Sequence, residues 1–458
     1  MSSAKQLAAR FPKGFMFGVA TAAYQIEGAA NEGGRKPSIW DAFSKMPGRV
    51  FEGHTGEVAC DHYHLWESDL DLIKELGVEA YRLSIAWPRV IPDGRGAVNE
   101  EGLDFYDRLI DGLVARNIKV FPTLYHWDLP LALAGFGGWT CRDTADAFGE
   151  YTSAVVKRLG DRIDGLATLN EPWCASYLSH LIGAHAPGEK SMEAAIASVH
   201  TFNLAHGTAV LAARAERADI QMGVVLNSFS TYAASDSAED KAAVERFYQF
   251  NNGAFLSPMF AGKYDEGFLA AHGDKMDLRE GDLERIHQPL DWWGYNFYNP
   301  ETVKHDPAPD AVYPATIGVP STDSDVRTDI GWEIRAEGLT DFLVDVYKRY
   351  DMPPVYITEN GAAYNMGPVD GVVDDQPRLE YYEKHIGAVA DALDKGVPLK
   401  GYFAWSLMDN YEWAFGYSMR FGIVHVDYET QQRTIKKSGY WYQDLVATHR
   451  ALAEVEPA

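Results

Sequence analysis

The chain has 458 residues, 46% of them hydrophobic, which is enough apolar material for a large core and argues against extended disorder. A formal net charge of −25 repels phosphate backbones and argues against nucleic-acid binding. Three scattered cysteines, Cys60, Cys141 and Cys174, fit neither a disulfide framework nor a zinc motif, and no apolar run approaches a membrane span.

Along the chain, apolar runs of strand length alternate with stretches of helical period. Residues 15–20 form the first candidate strand, and a long excursion rich in Gly, Pro and aromatics follows over 26–59. Residues 61–76 read as a helix, with Trp66, Leu70 and Ile73 at spacings of four and three on one face. Strands are predicted at 80–86, 119–124, 165–169 and 222–226, with helices over 100–116, 143–159 and 192–217 between them. A helix at 238–252 precedes a strand at 292–297, and a second excursion runs over 298–332. A helix at 333–350, a strand at 355–358, a helix at 378–395 and a strand at 401–405 continue the alternation. A third excursion, 407–423, and a helix at 437–453 complete it. Eight strand–helix units predict an α/β fold, the closed parallel (β/α)8 TIM barrel, as a single domain over residues 1–458. Long segments without a period in a compact domain are usually functional, so the excursions are read as long βα loops forming a pocket.

In such a barrel the active site lies at the C-terminal ends of the strands. Two glutamates fall there. Glu171 stands in Thr168-Leu169-Asn170-Glu171-Pro172 after the fourth strand, and Glu359 in Ile357-Thr358-Glu359-Asn360-Gly361 after the seventh. A carboxylate at such a junction is expensive to bury unless it is paired or used. Either one alone reads equally well as a salt-bridged strand-end residue. Together, with Arg82, His126, Asn170 and Tyr298 near other strand ends, they form one converging set. Paired carboxylates are what glycosidic bond cleavage needs: one donates a proton, the other attacks or activates water. Aromatic clusters at 125–128 and 405–413 suit the apolar C–H faces of sugars.

These residues make the chain resemble glycoside hydrolase family 1, the retaining β-glucosidases, and within it the compact bacterial type. The likeness runs from Phe11-Pro12 to Tyr428. It includes Phe17-Gly18-Val19-Ala20-Thr21-Ala22, Gln25-Ile26-Glu27-Gly28, Tyr81-Arg82-Leu83-Ser84-Ile85-Ala86-Trp87, His126-Trp127-Asp128 and the two glutamate motifs. The resemblance implies that Glu359 is the nucleophile and Glu171 the general acid, later the base. It implies that Arg82 keeps Glu359 ionised, that Asn170 holds the sugar 2-hydroxyl, and that Tyr298 hydrogen-bonds the nucleophile with Asn296 beside it. Gln25, His126, Glu412 and Trp413 would bind hydroxyls, with Trp405 as the floor and Trp332 as an aglycone platform. A non-proline cis peptide is expected at Trp405-Ser406. Cys174 is read as an inert wall residue.

The expected substrates are aryl β-glucosides, cellobiose and short cello-oligosaccharides, with β-galactosides and β-fucosides as further candidates, and transglycosylation as a side reaction. No cofactor and no metal are expected. No membrane or nucleic-acid partner is expected, and a homo-oligomer is compatible with the sequence. The first ten residues lack the apolar run of a signal peptide, and the few cysteines suit a reducing compartment, so a cytoplasmic location is expected.

Three other readings compete. The 6-phospho-glycosidases of the same family carry Ser and cationic support where this chain has Glu412, and a carboxylate there repels a 6-phosphate. Asp61-His62-Tyr63-His64 has the H-x-H form of a metal site, but it opens a helical segment rather than closing a strand. A non-catalytic sugar-binding barrel would typically have lost one of the two glutamates, and both are present.

Overall fold

Eight parallel strands close on themselves in the computed structural model, which describes residues 3–308, 313, 315–321 and 326–455. They are β1 (Met16–Ala20), β2 (Ala80–Ser84), β3 (Lys119–Tyr125), β4 (Leu166–Asn170), β5 (Met222–Asn227), β6 (Trp293–Asn296), β7 (Val355–Asn360) and β8 (Leu399–Trp405). Each pairs with its sequence neighbours, and β1 closes the ring on β8 through the pairs Met16–Gly401 to Ala20–Trp405. The predicted (β/α)8 TIM barrel is the observed fold.

Helices cover the outside: α1 (His62–Glu75), α2 (Glu100–Ala115), α3 (Asp143–Leu159), α4 (Met192–Glu216), α5 (Ala238–Tyr248), α6 (Glu337–Arg349), α7 (Gln376–Asp394) and α8 (Lys437–Val455). Local chemistry sets their ends. The hydroxyls of Ser191 and Ser237 accept the Ala194 and Asp240 amides and cap α4 and α5. In α3, Asp143 and Asp146 lie in the first turn and Lys157 and Arg158 in the last, each complementing the helix dipole. In α2, Leu103, Tyr106, Leu109, Ile110 and Leu113 are buried, the one-sided stripe that packs a helix on a sheet. No described helix is long and apolar enough to cross a membrane.

The core has two main layers, beside a small cluster of Ala243, Phe247 and Val303. The larger lies between strands and helices. The smaller fills the barrel, where Phe121 meets Phe403, Tyr356 and Trp292 at ring separations of 5.4, 5.5 and 5.9 Å. Such bulk needs small neighbours: a Cβ on Gly223 would lie 2.3 Å from the Trp292 ring.

Some boundaries differ from the sequence expectation. The run at 80–86 stops as a strand at Ser84, because Pro88 opens a short helix, Trp87–Val90. The predicted helix at 333–350 begins only at Glu337; Arg327 and Glu333 form an isolated bridge instead. The second excursion is not structureless. It contributes Glu301–His305 and Thr316–Gly318 to a three-stranded sheet with Thr231–Ala233. Its positions 309–312, 314 and 322–325 lie outside the described residues.

Candidate active site

A cavity of about 320 Å³ opens at the C-terminal ends of the strands. Glu171, Glu359, His126, Asn296, Tyr298, Trp332, Trp405, Glu412 and Trp413 line it; Gln25, Arg82 and Asn170 stand one layer behind.

Backbone irregularity aims the two glutamates. Glu171 is the first residue past β4 and sits at φ 45°, with its amide on the Val225 carbonyl of β5. In β7 the register shifts between Ile357 and Glu359. A regular strand sends consecutive side chains to opposite faces. Here the shift lets Thr358 bond Asn296 at 2.7 Å while the next residue, Glu359, faces the cavity. Beyond it, Gly361 passes the Trp405 carbonyl so closely that a Cβ would overlap it. The Trp405-Ser406 peptide is cis, as expected.

The side chains form one network. Arg82 donates to Glu359 Oε1 at 2.6 Å and to Asn170 Oδ1 at 2.7 Å. The Tyr298 hydroxyl donates to Glu359 Oε2 at 2.7 Å. Asn296 donates to Glu171 Oε1 at 2.7 Å and to Asn170 Oδ1 at 3.0 Å. Asn170 in turn donates to His126 Nε2 at 3.1 Å. Burial and the charge of Arg82 hold the His126 pKa well below the usual range, so the ring is neutral. With Nε2 accepting, the proton sits on Nδ1, which has no partner among the described residues and is a free donor.

Burial, and then the negative charge of Glu359, push Glu171 up to about 8. Burial also raises Glu359, while the Arg82 guanidinium pulls it back, followed by the Arg82 and Tyr298 hydrogen bonds. Two close buried carboxyls of this kind hold one proton between them. Direct contact with Arg82 places the negative charge on Glu359 and the proton on Glu171. Tyr298 remains an O–H donor, because burial and the Glu359 charge raise its pKa far above the usual value.

Trp413 is held between aromatic neighbours. Tyr24 and His126 lie near parallel to it at 5.9 Å, and Trp127 packs at 4.5 Å. Trp332 packs on Tyr298 at 5.1 Å. Gln25 spends its amide N–H groups on Asn410 and the Tyr411 carbonyl, with Glu412 at 3.4 Å. Its Oε1 is left without a partner among the described residues. Burial, then the charges of Glu359 and Glu171, push Glu412 up to about 8.

The sequence reading missed the contacts of Cys174. Cys174 lines the cavity with its thiol kept protonated by burial, and that thiol donates to Glu171 Oε2 at 3.2 Å and accepts from Asn227 at 3.4 Å. Only its spacing from Glu171 on a helical turn hinted at this. Arg420, the basic residue nearest Glu412 in its loop, is committed to Asp409 at 2.8 Å, as is buried Lys436 at 2.6 Å. His62 and His64 do not converge. His62 pairs with buried Asp69 at 2.8 Å, while His64 bonds Asp61 and Glu32 on the surface. Among the described residues no group of three or more His, Cys, Asp or Glu is placed to hold a metal ion.

Known proteins match this arrangement over nearly its whole length. The family model for glycosyl hydrolase family 1 covers residues 7–451. A β-glucosidase of an Agrobacterium species is 59% identical over 448 residues, covering 98% of this chain and 97% of that protein. Among solved structures, the virulence factor SghA of Agrobacterium tumefaciens, in complex with its substrate analogue salicin, superposes with a TM-score of 0.97 at 59% identity. That match covers 98% of this chain and 99% of the other. The family 1 β-glucosidase of Thermotoga maritima superposes with a TM-score of 0.92 at 47% identity, over 96% of this chain and 98% of its own. A model that spans the chain and relatives this similar over this length show that the chain belongs to glycosyl hydrolase family 1.

Proposed function

We propose that this glycoside hydrolase is a retaining β-glucosidase that removes terminal non-reducing β-D-glucosyl residues through a covalent glycosyl-enzyme. The observation that carries the mechanism is the asymmetry of the carboxyl pair: Glu359 is bonded to a guanidinium and a phenol, and Glu171 to an amide and a thiol. The group beside the fixed cation is ionised and attacks the anomeric carbon. The other carries the proton and gives it to the departing oxygen. Once the ester forms, the charge on Glu359 is gone, the pKa of Glu171 falls, and the same residue draws a proton from water to release the sugar. A second sugar hydroxyl in place of water gives transglycosylation.

Asn170, held by Arg82, Asn296 and His126, presents its amide to the 2-hydroxyl. His126 Nδ1, Glu412 and Trp413 serve the outer hydroxyls over the Trp405 floor, with Gln25 behind them, and Trp332 flanks the aglycone. The Glu412 carboxyl bonds either epimer at the 4-position, so galactosides and fucosides join glucosides as substrates. We take residues 1–458 as one catalytic domain, because loops from His126 to Phe421 wall a single cavity. The three unpaired cysteines suit a cytoplasmic location.

The test is the anomer released first. NMR at the start of hydrolysis of a β-glucoside should show β-glucose, with the α anomer appearing only by later mutarotation. Initial release of α-glucose would rule out double displacement.

A second expectation concerns the 6-position. Glu412 faces it, and the nearby cations Arg420 and Lys436 are tied to Asp409. Above about pH 8, where Glu412 is ionised, two like charges in close contact at an effective dielectric near 20 cost on the order of 4 kcal/mol. Nitrophenyl β-glucoside and cellobiose should be hydrolysed, and once Glu412 is ionised the 6-phosphoglucoside about 10³-fold less well by kcat/KM. Glu412→Ser should lose most activity on the unphosphorylated sugar. A wild-type preference for the phosphorylated substrate would refute the role of Glu412.

A further inference from the structure

The segment that leaves β6 lines one wall of the cavity, starting at the catalytic glutamates. Asn296 ends the strand against Glu171, and Tyr298 touches Glu359. Asn299 and Glu301 come next, and both line the same cavity. Among the described residues Glu301 has one side-chain hydrogen bond, a long one of 3.4 Å from the Asn299 amide. No Lys or Arg pairs with it among the described residues. The charge beside it is another carboxylate, buried Glu333, whose Oε1 also lacks a partner among the described residues. Burial, then the charge of Glu333, push Glu301 up to about 7, so it is ionised at pH 8.

A half-buried carboxylate without a cation costs stability and gives the fold little in return. It keeps acceptor capacity free for something in the cavity. The rest of the lining sharpens this. Glu171, Glu359 and Glu412 are the other ionisable carboxyls on the wall, and among the described lining residues there is no Lys or Arg. The two lining histidines, His126 and His185, have pKa values driven down by burial and carry no charge. An anionic leaving portion therefore finds no Lys or Arg among the described lining residues and meets the Glu301 carboxylate.

We propose that Glu301 is the specificity-determining residue of the aglycone half, selecting β-glucosides whose leaving portion presents a hydroxyl or ammonium donor and rejecting those that carry a carboxylate. This deepens the β-glucosidase function proposed above and rests on it. Asn299, Asn227 and Ser228, on the same stretch of wall, supply further polar contacts, while Trp332 and Phe229 cover the flat faces of the aglycone.

The experiment uses three phenyl β-glucosides that differ only in the para substituent: aminomethyl, hydroxymethyl and carboxylate. The value of kcat/KM is measured for each at pH 8 and low salt, in wild type, Glu301→Gln and Glu301→Met. The readout is the cation-to-anion ratio within each enzyme, so the variants need not keep wild-type activity. Wild type should prefer the aminomethyl over the carboxylate glucoside by at least about tenfold, and added salt should shrink the ratio. Both variants should lower it, because leaving-group reactivity is the same for all three enzymes. Should neither variant fold, Glu301→Asp, which keeps the carboxylate but draws it back from the cavity, takes their place and should likewise lower the ratio. Equal wild-type rates on the charged pair, or a ratio unchanged in folded variants, would overturn the role of Glu301. Failure of folded wild type to hydrolyse the neutral hydroxymethyl glucoside would overturn the glucosidase function and this inference with it.

Discussion

Glu359→Ala should abolish turnover of every β-glucoside, by on the order of 10⁶-fold in kcat, as expected when a nucleophile is deleted. The loss should not depend on the leaving group, because the covalent route itself is gone. Glu171→Ala should behave differently. General-acid assistance is typically worth about 10²–10⁴-fold, and an activated phenol needs little of it. Glycosylation by a dinitrophenyl glucoside should therefore survive in Glu171→Ala, while an alkyl glucoside or cellobiose should be almost inert. Added azide separates the roles further. In Glu359→Ala it enters the space left by the nucleophile and forms the α-glucosyl azide from an activated substrate. In Glu171→Ala it attacks the glycosyl-enzyme from the opposite face and forms the β product. Equal losses on both leaving groups, or the reverse azide stereochemistry, would mean that the two glutamates have exchanged roles.

Arg82→Met should give the next largest effect, read from the pH profile. In wild type, kcat/KM falls above about pH 8, where Glu171 loses its proton. It falls on the acid side as Glu359 gains one. Arg82 lies 2.6 Å from Glu359, and removing that positive charge raises the pKa of the carboxylate. The acid limb should move up by about 1–3 pH units toward the basic limb, narrowing the bell. At pH 7 the cost should be at least about 10²-fold in kcat/KM. Arg82→Lys is the informative companion. It keeps the charge but not the fork that also orients Asn170, so the acid limb should stay near its wild-type position while kcat still falls. An unmoved acid limb in Arg82→Met would show that Arg82 does not set the ionisation of Glu359.

Much of this molecule is determined locally. Strand and helix periods survive in a one-dimensional reading because burial repeats every two or 3.6 residues, and eight alternations leave the closed parallel barrel as the economical answer. The two glutamates were legible for the same reason: each is a charge at the end of an apolar run. Boundaries were less so. The strand run at 80–86 ends early because Pro88 starts a helical turn, and the 298–332 excursion acquires strands by pairing with Thr231–Ala233, which its own pattern does not announce.

Tertiary structure decided what the residues do to one another. Arg82 and Glu359 lie 277 positions apart, and their contact exists because barrel closure and register bring β2 and β7 to one rim. The register shift in β7 turns Glu359 inward, and no local pattern marks it. Cys174 and Asn296 become partners of Glu171, Arg420 is drawn off by Asp409, and Glu301 is left in the cavity with no Lys or Arg among the described lining residues. Each of these depends on distance through space. Electrostatic and hydrogen-bond energies fall off over a few ångströms, and sequence separation does not measure those ångströms until the chain has folded.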